Sequence, residues 1–191
     1  MKWNARYAEQ SAGAAREISA CLREWVEHAP PGRALDIACG TGRNAIFLAS
    51  RGFVVEALDI SALALAQARQ AAGAAGAQVD WIERDLDEGL AVVGPYQLVI
   101  QLHYVNAAIT RSVPSLLAPG GVFICQQHLQ TSEAVGGPQS SQHRVAAGEL
   151  PQLAAGLEIL HYAETLRSDP DGQRFALATL VARRSPPGTS A

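Results

Sequence analysis

Ala34-Leu35-Asp36-Ile37-Ala38-Cys39-Gly40-Thr41-Gly42-Arg43-Asn44-Ala45 joins an apolar, strand-like run to a helix-like one through a turn with almost no side-chain bulk. Such a turn lets a ligand touch the backbone, and the amides that open the following helix suit an anion. Seventeen residues after Gly42, Asp59 closes a second apolar run, Phe53-Val54-Val55-Glu56-Ala57-Leu58. An acid there stands where a neighbouring parallel strand delivers it to a ribose. The pattern points to an adenosine-containing cofactor.

Working outward, residues 4–28 place Ile18, Leu22, Trp25 and Val26 at helical spacing, and Pro30-Pro31-Gly32 ends that run. A helix is expected from about Asn44 to Arg51, stopped by Gly52, and another from a Ser61 cap to about Ala72. Val79-Asp80-Trp81-Ile82-Glu83 reads as a third strand, Tyr96 to Gln101 as a fourth, and Val122 to Gln126 as a fifth after the turn Ala118-Pro119-Gly120-Gly121. Alternation of strands and helices predicts a parallel sheet with right-handed crossovers. The ending breaks that rhythm. Leu157 to Leu166 and Phe175 to Ala182 are strand-like and flank Ser168-Asp169-Pro170-Asp171-Gly172-Gln173, a reversing sequence, so one strand is expected to run antiparallel. The expected fold is α/β: a Rossmann-like, seven-stranded, mostly parallel sheet flanked by helices, with a C-terminal antiparallel hairpin. Residues 1–184 are expected to form one domain, with residues 1–30 as an N-terminal helical cap and 185–191 as a disordered tail.

A chain of 191 residues buries roughly 70% of the surface that its unfolded form exposes, enough for one α/β core. Hydrophobic residues make up 48% and charged residues 17%, too apolar a mixture for a disordered chain. The net charge of −3 and the scatter of the arginines, with Lys2 the single lysine, argue against nucleic acid as a partner. No basic stretch leads into an apolar core at the N-terminus and no apolar run has bilayer-spanning length, so no membrane partner and a cytoplasmic location are expected. Cys21, Cys39 and Cys125 lack the spacing of a disulfide framework or zinc cage, and the histidines and acids show no metal-ligand spacing, so no metal is expected. Monomer and homodimer both remain open.

The chain resembles the class I S-adenosylmethionine-dependent methyltransferases over nearly its whole length. The matching motifs are Leu-Asp-Ile-Ala-Cys-Gly-Thr-Gly-Arg-Asn at 35–44, Leu-Asp-Ile-Ser at 58–61, Arg-Asp-Leu at 84–86, the fourth strand, Leu-Leu-Ala-Pro-Gly-Gly at 116–121 and the closing hairpin. Trp3-Asn4-Ala5-Arg6-Tyr7, Gly42-Arg43-Asn44 and the terminal Val-Ala-Arg-Arg look most like the small-molecule branch that includes tellurite-resistance and thiopurine methyltransferases. Tellurite-resistance members place a His-Arg pair before the last turn; here the positions read Leu166-Arg167, which keeps the Arg and loses the His.

The resemblance implies S-adenosylmethionine as cofactor, S-adenosylhomocysteine as product and a small-molecule acceptor methylated by direct in-line displacement. It implies that Gly40 and Gly42 let the backbone close on the cofactor, that Asp36 pairs with its ammonium directly or through water, and that Asp59 accepts from both ribose hydroxyls. Asp85 and the Leu86 amide would read the adenine edge, while Trp3 and Arg6 would fold over the cofactor. Asn44, Ile60 and Gln101 complete the expected cofactor surroundings. His103 and Tyr104 follow the fourth strand, where a base or a pocket wall would face the transferred methyl, and Arg167 joins them as a candidate catalytic residue. The [DNS]-P-P-[YFW] signature of methyltransferases acting on nucleic-acid amines is missing. Residues 129–145, rich in Gln, Ser and Gly, are expected to form a lid carrying His143 and Arg144. Gly40, Gly42 and Ala45 also satisfy a nicotinamide-type GxGxxA, so an NAD-binding oxidoreductase and a non-catalytic S-adenosylmethionine-binding module remain alternatives.

Overall fold

The computed structural model describes residues 17–168 and 172–186. Helix α1 (Ala20–Trp25) leads through a 3₁₀ turn to β1 (Arg33–Ile37), α2 (Arg43–Ser50), β2 (Val54–Asp59), α3 (Ala62–Ala75), β3 (Val79–Glu83) and β4 (Tyr96–Leu102). Then come α4 (Ala107–Leu116), β5 (Leu117–His128), α5 (Glu149–Leu153), β6 (Glu158–Ser168) and β7 (Arg174–Arg183). The seven strands form one sheet in the order β3-β2-β1-β4-β5-β7-β6. β1 to β5 pair in parallel, and β7 runs antiparallel to both β5 and β6, as the reversing turn before it predicts.

Alternation along the strands divides the core into two layers. Leu35, Ile37, Val99 and Phe123 pack beneath Ile109 and Val113 of α4 and Leu150 and Leu153 of α5. Ala34, Ala57, Leu98 and Ile100 face the other way, toward Leu22 of α1, Leu48 of α2 and Leu65 of α3. Covered on both faces, β1 and β4 are almost wholly buried, which is why they read as continuous apolar runs.

Ser61 caps α3 as expected, its hydroxyl accepting from the Ala64 amide at 3.2 Å. The helix passes Gly73 and stops at Gly76, φ 65°, because the alanines on either side outweigh the cost of one interior glycine, about 1 kcal/mol. β5 starts five residues earlier than its apolar pattern predicts: Leu117 already pairs with Tyr96, and the expected turn is absorbed as an irregularity within the strand. There Gly120 donates to Arg184 O at 2.8 Å and Arg184 donates to Gly121 O at 2.9 Å. The proposed cap residues 1–16 and most of the expected tail lie outside the described residues. Among the described residues, no helix is long and apolar enough to cross a membrane.

Candidate cofactor and active site

The carboxyl ends of β1, β2 and β3 carry the predicted acids to one edge of the sheet. Asp36 and Asp59 stand on the same sheet face as Ala34 and Ala57, the face covered by α2 and α3. Between β1 and α2 the backbone makes a bend in which Ala38, Gly40 and Gly42 all take left-handed φ values of 59°, 56° and 79°. A non-glycine residue such as Ala38 adopts that conformation at a cost of about 1 kcal/mol, so the bend is held by its surroundings. Cys39 N–H donates to Leu58 O at 2.9 Å, Gly40 N–H donates to Asp59 Oδ2 at 2.8 Å, and the second Asp59 oxygen accepts from the Ser61 amide at 2.9 Å.

Asp36 is 2% exposed, and its Oδ2 has no hydrogen-bond partner. Burial raises its carboxyl to about 7, the nearby Asp59 charge adds to the rise, and Arg43 with the Ala45 amide opposes it. Burial raises Asp59 as well, against the amides of Ser61, Gly40 and Ile60. Two like charges are thus drawn out of water with one oxygen uncompensated, an arrangement that a bound cation relieves. Arg84 N–H donates to Asp59 O at 2.9 Å and so docks the exit of β3 beside β2. Asp85 follows, capping the turn that holds the buried Leu86 by accepting from Asp87 N–H at 3.0 Å. Ile60 is half-buried beside this group.

Several expected ligand contacts are turned inward. Gly42 is required by the protein itself: a Cβ there would lie 2.4 Å from the Trp81 indole and 2.8 Å from Ala68 Cβ. Asn44 is buried, and its Oδ1 accepts from Ser19 N–H at 3.1 Å, fastening α1 to the start of α2. Gln101 is 0% exposed: its Nε2 donates to Tyr104 O at 3.0 Å and its Oε1 accepts from Thr110 at 3.1 Å, so it shapes the exit of β4 from within. Polar residues at strand ends serve the loop backbone as readily as a ligand, and sequence does not distinguish the two.

His103 is exposed at that exit and Tyr104 is half-buried. Burial raises the Tyr104 phenol; Asn106 Nδ2 donates to its oxygen at 3.3 Å and lowers it, while Asp87, Asp85 and Asp59 raise it further. Tyr104 therefore lies in the field of the acids. Arg167 is exposed on β6, opposite Phe175, and its charge is felt at Cys21 of α1; β7 and β5 separate its strand from β4. Trp3 and Arg6 lie outside the described residues. The expected lid is pinned instead: Arg144 donates to the carbonyls of Pro138, Leu129 and Gly136 at 2.8–2.9 Å, and Gly136 N–H donates to Arg174 O at 2.8 Å. Arg144 is a staple within its own loop. Sequence reasoning also passed over Arg43, whose place in the first turn of α2 is the signal that it can reach Asp36, and His128, which ends the strand beside β4.

Comparison with known proteins agrees with this geometry. The family described as a methyltransferase domain matches residues 34–121, the segment from β1 into β5. The match spans just under half of the chain and makes that segment similar to a methyltransferase domain. A putative methyltransferase, YqeM of Bacillus subtilis strain 168, is 32% identical to this chain over 116 residues, 55% of this chain and 47% of the relative. The chain thus spans about half the length of that curated relative. Its fold is that of TehB from Haemophilus influenzae, with a TM-score of 0.77 and 19% identity over 95% of this chain and 67% of that one. The magnesium protoporphyrin IX methyltransferase ChlM from Synechocystis PCC 6803, solved with bound SAM, shares it with a TM-score of 0.59 and 23% identity over 81% of this chain and 71% of that one.

Proposed function

We propose that this methyltransferase domain binds S-adenosylmethionine and transfers its methyl group to a small-molecule acceptor by in-line displacement. The observation that carries the reading is the buried, unpartnered Oδ2 of Asp36, set beside a second acid above a left-handed bend. A methionine-type ammonium supplies the missing charge and hydrogen bond. A nicotinamide dinucleotide offers no such cation to that position, which favours the methyl donor over the oxidoreductase reading.

The residues fit the cofactor as follows. Asp36 holds the ammonium. Asp59 uses the lone pairs left by Gly40 and Ser61 to accept from ribose hydroxyls, a carboxylate having about four acceptor sites. The amides at the start of α2, with Arg43 beside them, suit the carboxylate. Asp85 and Leu86 bound the adenine side. The cofactor supplies a methyl group on a positively charged sulfur, so the chain's task is chiefly alignment, worth roughly 7–11 kcal/mol.

The small acceptor is supported by two further observations. The net charge of −3 offers no basic surface for nucleic acid. ChlM, named for a porphyrin substrate, shows the same fold serving a small molecule. TehB-like architecture together with the retained Arg167 supports the small-molecule reading, and with it the expectation of one domain over residues 1–184 and a cytoplasmic location.

Calorimetry tests the reading. S-adenosylhomocysteine is expected to bind at least about tenfold more tightly than NAD, and Asp59→Ala to weaken it by at least about tenfold. Comparable NAD affinity, or an Asp59 variant that binds normally, refutes the assignment.

A further inference from the structure

His103 leaves β4 in left-handed backbone, φ 59°, a conformation that a non-glycine residue keeps only where its surroundings impose it. The next strand imposes it: His103 N–H donates to Gln126 O at 2.8 Å, one step beyond the last β4–β5 pair, Leu102 with Gln126. The His103 ring then lies 5.0 Å from the ring of His128, tilted by 38°. His128 ends β5 on the face that carries Val122 and Ile124, shared with Asp36 and Asp59. It is tightly held. On one side Gly137 comes so close that a Cβ would lie 2.7 Å from its Nδ1, and on another the Phe175 ring centre is 6.4 Å away. One imidazole is wedged in place, and the other, in contact with it, is exposed at the carboxyl edge of the sheet.

We propose that His103 accepts the proton of a hydroxyl-bearing acceptor and that His128 is a positioning residue that orients the His103 ring. This rests on the methyl-transfer reading above. As the acceptor oxygen attacks the methyl carbon, its O–H bond breaks and the proton passes to an imidazole nitrogen of His103. The O–CH₃ bond forms, the S–CH₃ bond breaks, and that electron pair stays on sulfur as a neutral thioether. The exposed His103 then returns the proton to water. A thiolate or a neutral amine attacks through a free lone pair, so a fixed base contributes little to it; a hydroxyl is a weak nucleophile until its proton leaves. The pair of imidazoles thus selects hydroxyl acceptors.

The test uses the full chain with S-adenosylmethionine, reading S-adenosylhomocysteine formed on catechol and on thiophenol as probe acceptors. His128→Phe keeps a ring against Gly137 and Phe175 and removes both nitrogens. His103→Gln is expected to lower kcat on catechol about a hundredfold and His128→Phe about tenfold, with KM changed less than about twofold. The ratio of catechol to thiophenol turnover should fall by at least about fivefold in both. Equal losses on the two acceptors, or an effect confined to KM, overturn the proposal. Nitrogen NMR of histidine-labelled protein with bound S-adenosylhomocysteine provides an arm that needs no acceptor: His128→Phe should shift the ring resonances of His103, and unmoved resonances overturn the positioning role. Failure of the wild-type chain to bind S-adenosylhomocysteine would instead defeat the methyl-transfer reading, while the resonance shift in the free protein still reports on the pair.

Discussion

The two ends of β1, β2 and β4 are built to opposite rules. At their amino ends Arg33, Glu56 and Tyr96 satisfy one another: the guanidinium bonds the Glu56 carboxylate, lies 4.5 Å from the Tyr96 ring centre and donates to Val93 O at 3.1 Å. The Tyr96 hydroxyl donates to the other Glu56 oxygen at 2.9 Å. At their carboxyl ends Asp36 and Asp59 bring two like charges into burial and leave one oxygen without a partner. Three strands of one sheet thus carry a closed polar network at one edge and an open one at the other. The closed network stabilises the fold without help, whereas the open one holds unfavourable electrostatics in reserve for a cationic ligand, a common division between stability and function.

Asp36→Asn should break the contrast most sharply. Loss of the buried charge opposite an ammonium is expected to weaken S-adenosylhomocysteine binding about a hundredfold, roughly 3 kcal/mol. The free protein should respond in the opposite sense. The Asp36 carboxyl sits at about 7 when folded against its ordinary 3.8, so between those values the folded chain holds a proton that the unfolded chain has released. That contribution favours folding fully below pH of about 4 and is lost as pH rises through about 7. Asp36→Asn should therefore be more stable than wild type above pH of about 7, with the advantage vanishing toward pH of about 4; parallel melting curves across that range would show that Asp36 stays ionised when buried.

Gly42→Ala separates the two demands on the bend. A methyl group would press on Trp81 at 2.4 Å, in backbone that disfavours any Cβ, so a loss of about 2–3 kcal/mol is expected in denaturant melts. Adding Trp81→Leu should recover part of it. If the single variant melts normally yet loses ligand, the glycine serves the cofactor and not the indole.

Glu56→Gln is the smallest of the three and tests the closed edge. Arg33 is partly exposed, so solvent screens the pair and the cost should be about 1 kcal/mol, reduced further by salt, with S-adenosylhomocysteine affinity within about twofold of wild type. A larger effect on binding than on melting would join the two edges into one network.

Local chemistry made much of this architecture legible. The bend between β1 and α2, the acids at 36 and 59, the Ser61 cap and the antiparallel pairing of β6 with β7 each follow from a few neighbouring residues whose shape or hydrogen bonding favours one arrangement. The roles of Asn44 and Gln101 did not, because each has its partners outside its own element, Ser19 for one and Tyr104 with Thr110 of α4 for the other. Arg144 reads as a reaching cation and serves as a staple for the same reason.

By itself the sequence determined the order of elements, the parallel sheet with its late reversal and the residue types gathered at its carboxyl edge, since these depend on periodicity, turn chemistry and short-range hydrogen bonding. Only the tertiary structure decided which polar atoms are spent and which remain available. It set Trp81 on Gly42, turned Gln101 inward, left Asp36 Oδ2 open and brought His103 against His128 from the next strand. The physical reason is that burial and pairing belong to the space between segments: a carboxylate or an imidazole carries the same formula wherever it stands, and its neighbours across the sheet decide what it can do.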